Sequence, residues 1–529
     1  MIRKAILYYH TLRFLKWTQI CYQLWYKVRK LFRSLVGHKY VFDKKSPSFE
    51  KLTMIGDVAQ LKSFKGNNHF RFLNINHEFR DKIDWDFAQY GKLWTYNLNY
   101  FDFLNQSDAK IYKDQFYEII FEFTSNLPKL KNANEPFPTS LRVINWVKYF
   151  IKNENIGDQF LLSLYNQLYI LNDNKEFHLL GNHLLENGFA LVLGGGFFQD
   201  KYIYNQGKAI LIEQLEEQIL NDGAHFELSP MYHCLMLQRL LDTINIFDTN
   251  KSILDHSFGK QDQFLLFIQN KAVKMCEWLL SVMYEDGSLP HFNDSTDGIA
   301  IKPVDLLDYA KSLRLNFAPN KLIDSGYRRF KNRNFDIIIK AGNIGPDYIP
   351  GHAHADSLSF ECRVNNQPFI VDPGISTYEK NEIRQRERST SSHNTVNVNG
   401  RNSSEVWDGF RVGKRAKSII SQENKTSLSA SHNGFTQTYS RTFLFSETVF
   451  TITENIFIKH AKVEFHFHPA VCIKLSNSGL KVNNVFIYFE GANEVVLSEY
   501  QFCLGFNKNV KAQKATVLFN NSLITRITI

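Results

Sequence analysis

From about residue 85 to residue 315, apolar side chains recur every three or four positions, the period of an amphipathic helix. Clear examples are YKDQFYEIIFEFTSNL (112–127), SLRVINWVKYFIKN (140–153), DQFLLSLYNQLYILNDN (158–174), GKAILIEQLEEQIL (207–220) and FLLFIQNKAVKMCEWLLSVM (264–283). Pro, Gly or Asn separates them. Repeated helix pairs of this length predict an α/α toroid or solenoid, although no sequence repeat accompanies them. Beyond about residue 330 the pattern changes. FDIIIKAG (335–342), SLSFECRV (357–364), QPFIVDPG (367–374), HNTVNVNG (393–400), ETVFTITENIFI (447–458), KVEFHFHP (462–469) and ATVLFNN (515–521) are rich in β-branched and aromatic residues, often alternate, and read as strands. The expected order is an N-terminal segment (1–45), a helical domain (46–325) with a loop-rich start over 45–85, and an antiparallel β-sandwich (326–529).

Residues 2–36 mix apolar and basic side chains without an unbroken apolar core, so they do not read as a cleavable signal peptide. They predict one basic amphipathic helix, suited equally to packing on the main domain or to peripheral contact with an anionic membrane. No run of about 18 uncharged apolar residues predicts a transmembrane helix. The default expectation is a cytoplasmic or membrane-peripheral chain, with the periplasm left open. The formal net charge of +9 favours an anionic partner. Much of the excess lies in Arg3, Lys4, Arg13, Lys16, Lys27, Arg29, Lys30, Arg33, Lys39, Lys44 and Lys45. It accompanies no recognised nucleic-acid motif, so a nucleic-acid partner is not expected. The 45 Phe and 24 Tyr suit sugar platforms and an aromatic core alike. Six scattered cysteines without a CxxC pair predict free thiols.

Four constellations could carry chemistry. In GHAHADSLSF (351–360), a strand would place His352 and His354 on one face. With Asp372 and His393 on adjacent strands, His354 would complete a two-nitrogen, one-oxygen metal site, and a hydrogen-bonded polar cluster is an equal reading. In LLGNHLLENGFAL (179–191), Asn182 and His183 open a helical run, where they could bind a carboxylate or cap the helix. In DGAHFELSPMYHCLML (222–237), Tyr232 and His233 follow Pro230 at a helix start; Tyr232 could be an acid or base, or a satisfied core aromatic. In EIRQRERSTSSHN (382–394), Arg384, Arg386 and Arg388 alternate as if on one side of an extended segment. Arg142 is a further anion-binding candidate. Dinucleotide, Walker, HExxH and GxSxG signatures are absent, and the glycines after Leu193 are a weak phosphate-loop signal.

An ordered set of segments adds to these readings: YGKLWTYNLNYFDFL (90–104), PFPTSLRVINWVKY (136–149), LGNHLLENGFALVLGG (180–195), DGAHFELSPMYH (222–233), DGSLPHFNDS (286–295), GHAHADSLSFE (351–361), VDPGISTY (371–378), RSTSSHNTVNVNGRNSSEVW (388–407) and FRVGKRAK (410–417). Together they resemble the heparinase II/III-like family of polysaccharide lyases. The resemblance implies an α+β multidomain chain, with an incomplete (α/α) toroid followed by an antiparallel β-sandwich. It implies β-elimination of a uronic-acid-containing polysaccharide that is glycosaminoglycan-like, alginate-like or a bacterial surface polymer. By the same resemblance Asn182 and His183 would neutralise the uronate carboxylate, and Tyr232 would protonate the leaving O4 and, in syn elimination, also take the C5 proton. His352 would be the base for the opposite epimer. His354, Asp372 and His393 would hold one structural divalent metal, zinc by analogy, with no organic cofactor. Arg142 and Arg388 would bind substrate. Two alternatives stay open: a non-catalytic polysaccharide-binding or assembly protein on the same scaffold, and a glycoside hydrolase using a pair drawn from Glu186, Glu227, Asp286 and Asp294.

Overall fold

A computed structural model describes residues 2–40, 47–153, 156–476, 479–482 and 484–529. The N-terminal segment forms two helices, α1 (Ile2–Leu12) and α2 (Trp17–Leu35), where the pattern predicted one. The break at 13–16 is fixed by the start of α2, where the Gln19 side chain accepts the Lys16 backbone N–H at 3.0 Å. The expected loop over 45–85 contains a hairpin, β1 (His69–Phe72) and β2 (Ile75–Glu78), closed by Leu73 and Asn74, both at positive φ.

The helical domain continues through α3 (Lys92–Tyr100), α4 (Lys113–Asn126), α5 (Pro136–Lys152), α6 (Asp158–Asp173), α7 (Gly181–Phe197), α8 (Lys201–Gln218), α9 (Pro230–Thr249), α10 (Lys251–Phe258), α11 (Asp262–Val282) and α12 (Pro303–Ser312). Consecutive and next-nearest helices pack in the curved order of an incomplete (α/α) toroid: α5 on α6 and α7, α7 on α8, and α9 on α11. Leu164, Leu168, Leu185, Phe189 and Leu237 are among its fully buried core side chains. The glycines after Leu193 are packing devices. A Cβ on Gly195 would lie 2.6 Å from the Tyr204 backbone nitrogen, and one on Gly207 would lie 2.6 Å from that of Val192. Only the absence of both lets α7 and α8 approach this closely.

The sandwich begins with a four-stranded antiparallel sheet of β3 (Tyr327–Lys331), β4 (Phe335–Lys340), β5 (Phe360–Val364) and β6 (Gln367–Ile370), in that order. A short helix, α13 (Glu382–Glu387), and β7 (Val396–Val398), β8 (Val406–Trp407) and β9 (Arg411–Val412) follow. The remaining strands are β10 (Ser418–Glu423), β11 (Ser427–His432), β12 (Tyr439–Phe445), β13 (Val449–Asn455), β14 (Ala461–His466), β15 (Lys474–Ser476), β16 (Gly479–Val482), β17 (Val485–Gly505) and β18 (Lys508–Thr528). They build the large sheet in the order β10-β11-β12-β13-β18-β17-β16-β15, with β14 pairing both β18 and β7. The long β18 serves two neighbours on one edge: β13 along 522–528 and β14 along 514–519. Ile337, Ile339, Phe360 and Cys362 of the small sheet face Phe443, Phe450, Phe465 and Val517 of the large one across a dry core. The cysteines are free, four of them buried.

Two local expectations change. Residues 351–358 form turns, and β5 starts only at Phe360. The arginine-rich stretch is helical, not extended: Asn381 caps α13 by accepting the Arg384 N–H at 2.9 Å. Arg384 and Arg388 therefore share one buried face, while Arg386 is exposed.

Candidate active site

A carboxylate from the segment leaving α11 organises the junction between the two domains. Asp294 is fully buried. Its Oδ2 lies 2.7 Å from His352 Nδ1 and its Oδ1 lies 2.8 Å from His354 Nε2. The Arg384 guanidinium donates to both oxygens, at 2.7 Å to Oδ2. Burial alone would raise the Asp294 pKa, but Arg384 and the two imidazoles overcome it and hold the carboxyl well below its ordinary value. The histidine loop is pinned elsewhere too. Asp356 accepts from Lys340 Nζ of β4 at 2.6 and 2.7 Å, and the Arg388 guanidinium donates to the Ala353 carbonyl, between the two histidines.

The groups that reach solvent lie around this buried nest. The His352 side chain is 17% exposed, and its ring lies 4.0 Å from the ring of Tyr232, centroid to centroid. Ser229 caps α9 and so sets where Tyr232 stands on its first turn. Burial pushes the Tyr232 phenol up, so at neutral pH it holds its proton. The Tyr378 hydroxyl donates to the Tyr232 oxygen at 3.2 Å. Phe410 closes one side, edge-on to His352 and Tyr378.

Asn182 and His183 come from the first turn of α7. Asn182 does not cap the helix: its Oδ1 is buried and has no protein partner. His183 is 37% exposed, lies 4.6 Å from the Phe137 ring, and has Nδ1 3.0 Å from Glu176 Oε1. Burial works against a charged imidazole here, yet the Glu176 carboxylate prevails and raises the His183 pKa. Glu176 is itself fixed by Asn187, which donates to Oε2 at 3.1 Å. Glu227 links the two sides. Burial raises its pKa, and His352 and His183 both oppose that rise, so its carboxyl senses both imidazoles. Tyr232 of the toroid and His352 of the histidine loop thus pack ring on ring, and Glu227 couples them electrostatically to His183, which stands beside Asn182 on the first turn of α7.

The two arginines expected to bind substrate are both buried. Arg142 is fully buried in the toroid, donating to Gln167 Oε1 (2.5 Å), Asn99 O (3.1 Å), Ala133 O (2.9 Å) and Thr139 Oγ1 (3.2 Å). Burial brings its pKa down to about 9. Arg388 is equally buried and donates from Nε and Nη2 to the Ala353 and Arg411 carbonyls, its Nη1 being buried without a protein partner. Both are framework residues, because guanidinium groups without surface exposure cannot meet a polymer. His354, Asp372 and His393 do lie close together, the two imidazoles 5.2 Å apart. However, Asp372 Oδ2 lies 2.7 Å from His393 Nδ1, and its Oδ1 accepts the Gly374 N–H. Among the described residues, no set of three or more His, Cys, Asp or Glu side chains is arranged to hold a metal ion. His354 Nδ1 and His393 Nε2 remain buried and without a protein partner.

Glu176 and Tyr378 were not singled out by the sequence, which offered Arg384 only as one of three alternating arginines and Asp294 and Glu227 only as candidate hydrolase acids. Asp294 and Tyr378 stand inside two segments of the ordered set, DGSLPHFNDS and VDPGISTY, which was the one available signal.

Of the four candidate hydrolase acids, Asp294 is locked in its ion-pair nest, Glu186 pairs with Arg239 at 3.2 Å, and Asp286 pairs with Arg363 at 2.8 Å at the surface. Glu227 alone is unpaired by a guanidinium.

Comparison with known proteins agrees with this architecture. The heparinase II/III N-terminus model matches residues 19–321, and the heparinase II/III-like, C-terminal model matches residues 315–528. A heparin-sulfate lyase from Bacteroides stercoris is 24% identical over 359 residues, covering 59% of this chain and 51% of that protein. One from Pedobacter heparinus is 23% identical over 286 residues, covering 48% and 41%. The match thus spans about half the length of these relatives. The crystal structure of a heparinase III superposes with a TM-score of 0.66 at 18% identity, covering 85% of this chain and 80% of that one. The fold is therefore shared, and with family models matching both halves, the chain belongs to the heparinase II/III family.

Proposed function

We propose that this chain is a polysaccharide lyase that cleaves a uronic-acid-containing acidic polysaccharide by β-elimination. The observation that carries the reading is the ring-to-ring contact of a protonated phenol, Tyr232, with an imidazole, His352, whose Nδ1 is fixed by a buried carboxylate. A carboxylate accepting at Nδ1 places a His352 proton there, so that in the neutral ring Nε2 is the nitrogen that can accept one. Nε2 would take the C5 proton, and the released electron pair forms the C4–C5 double bond as the C4–O4 bond breaks. Tyr232 would give its phenolic proton to the departing O4, and the Tyr378 hydroxyl, already donating to the same oxygen, would stabilise the phenolate left behind. Tyr232 as base would need its phenolate beforehand, and burial works against that. The His183 cation and the Asn182 amide would hold the uronate carboxylate and spread the charge that develops when C5 is deprotonated.

The named relatives make a heparan-type glycosaminoglycan the first substrate to try. The test is a product-resolved digestion panel of heparan sulfate, heparin, chondroitin sulfate, hyaluronan and alginate. The expected product is a shorter chain with an ultraviolet-absorbing unsaturated uronate at its new non-reducing end. New reducing ends without unsaturation would support a hydrolase instead. Binding without cleavage of any polymer would support the non-catalytic alternative.

One structural divalent metal belongs to the same proposal. The two buried imidazole nitrogens without partners, His354 Nδ1 and His393 Nε2, suit zinc, with Asp372 orienting His393 or adding an oxygen. Such an ion would tie the histidine loop to the sandwich.

A further inference from the structure

Helix α2 is mounted with its polar stripe inward. Gln19, Tyr22, Tyr26, Arg29 and Arg33, spaced by three and four residues, face the toroid. Gln19 donates to the Leu179 carbonyl at 3.1 Å, Tyr22 stacks on Phe177 at 4.7 Å, and Tyr26 stands edge-on to His178 at 5.1 Å. Arg29 donates to the Asp173 carbonyl at 2.6 Å, and Arg33 to its carboxylate at 2.6 Å. The opposite face holds Trp17, Leu24, Val28, Leu31, Phe32 and Leu35, which are 59–80% exposed. A surface helix normally buries such a stripe, and soluble proteins rarely leave one this large uncovered.

Charge indicates what covers it. Residues 1–40 contain nine Lys and Arg and no Asp or Glu. The rest of the chain carries equal numbers of acidic and basic residues, so this segment holds the entire net charge of +9. Exposed Lys27 and Lys30 line one flank of the apolar stripe. Bulky apolar side chains beside a cationic flank are the composition of a helix lying in the plane of a bilayer interface. A second copy would bring the same cations against these, and an acidic sugar chain offers nothing apolar to bury Leu, Val and Phe. Among the described residues, no helix is long and apolar enough to cross a membrane. We propose that the outer face of α2 docks the protein peripherally on an anionic lipid surface. The inference is independent of the cleavage chemistry. The docked helix would be anchored to both domains, since Tyr8 packs edge-on to Trp407 and the Arg415 guanidinium covers Phe14 at 3.8 Å.

The test is co-sedimentation of the full chain with vesicles of phosphatidylcholine alone, or with one lipid in four replaced by phosphatidylglycerol. Binding is expected to the anionic vesicles and at least tenfold more weakly to the neutral ones. The surface variant Leu24→Ser/Leu31→Ser/Phe32→Ser should lose it, and Lys27→Glu/Lys30→Glu should weaken it at least tenfold. As a check that needs no variant of the stripe, a polarity-sensitive fluorophore on exposed Cys21, with Cys472→Ser, should shift to the blue when anionic vesicles are added. Absence of binding and of the blue shift overturns the proposal. So does concentration-dependent self-association of the wild type that the triple variant abolishes, or retention on an acidic polysaccharide that the same variant loses.

Discussion

His352 Nδ1 and Asp294 Oδ2 are 2.7 Å apart, although 58 residues separate them in the chain. The contact engages Nδ1 and leaves Nε2 as the imidazole nitrogen turned away from the carboxylate, which also neutralises buried Arg384. Asp294→Asn is therefore expected to do two kinds of damage. It leaves a buried guanidinium without its charge partner, which should cost about 3–5 kcal/mol of stability. It also releases the His352 tautomer, which should lower kcat in whatever protein remains folded. Denaturant unfolding and steady-state kinetics measure the two separately. Unchanged stability would show that Arg384 finds another partner and would sink this account.

Tyr232→Phe removes one oxygen and leaves the ring contact with His352. We expect a fall of about 10²–10⁴-fold in kcat with normal unfolding behaviour. Tyr378→Phe should cost less, since Tyr378 acts only through the Tyr232 oxygen. Equal losses in the two variants would argue that Tyr378 touches substrate directly.

Glu176→Gln should act through His183. In the wild type the His183 pKa is raised, so its cation persists above the ordinary value of about 6.5. Its stabilising pairing with Glu176 is complete below the unfolded value and fades as pH rises through the raised one. In the variant the cation should be lost at lower pH, so KM for the polymer should climb on the alkaline side earlier than in the wild type. A KM profile that does not move would exclude His183 as a carboxylate ligand.

Arg142→Met is expected to destabilise the toroid by about 3 kcal/mol or more, because several buried acceptors lose their donor together. KM in the surviving folded protein should stay near the wild-type value. A specific rise in KM without loss of stability would return Arg142 to the substrate site.

For the metal, elemental analysis of protein purified without chelator should give one zinc per chain, lost in His393→Ala together with several degrees of thermal stability. Metal-free protein of equal stability would remove the ion from the proposal.

Long-period features were legible in the sequence. The spacing of apolar residues located α4, α5, α6 and α11 within a few residues and found α8 without its first turn and a half, and strand composition separated the sandwich from the toroid. Local geometry was not. His352-Ala353-His354-Ala355 alternates like a strand, yet Ala353 and Ala355 are buried in a turn held by Arg388 and Asp356. The β1–β2 turn uses Leu73 and Asn74 at positive φ, with no glycine to announce it. The candidate cluster itself depends on partners 58 to 90 residues apart around Asp294, a distance over which periodicity carries no information. Arg142 shows the converse: an arginine in a matched segment looked like a ligand, and only its buried hydrogen bonds reveal a framework role.

The placement of Asp294 has an implication for how this protein matures. The carboxylate is delivered by the α11–α12 connection of the toroid, while His352, His354 and Arg384 are delivered by the sandwich side. Each half can bury its own apolar core, but neither half alone can settle the charge it contributes to the junction. Until the halves close on one another, the base has no fixed tautomer and the phenol has no imidazole beside it. The proposed chemistry is thus gated by assembly, and a chain whose halves fold but fail to dock is expected to be silent toward any polymer it meets.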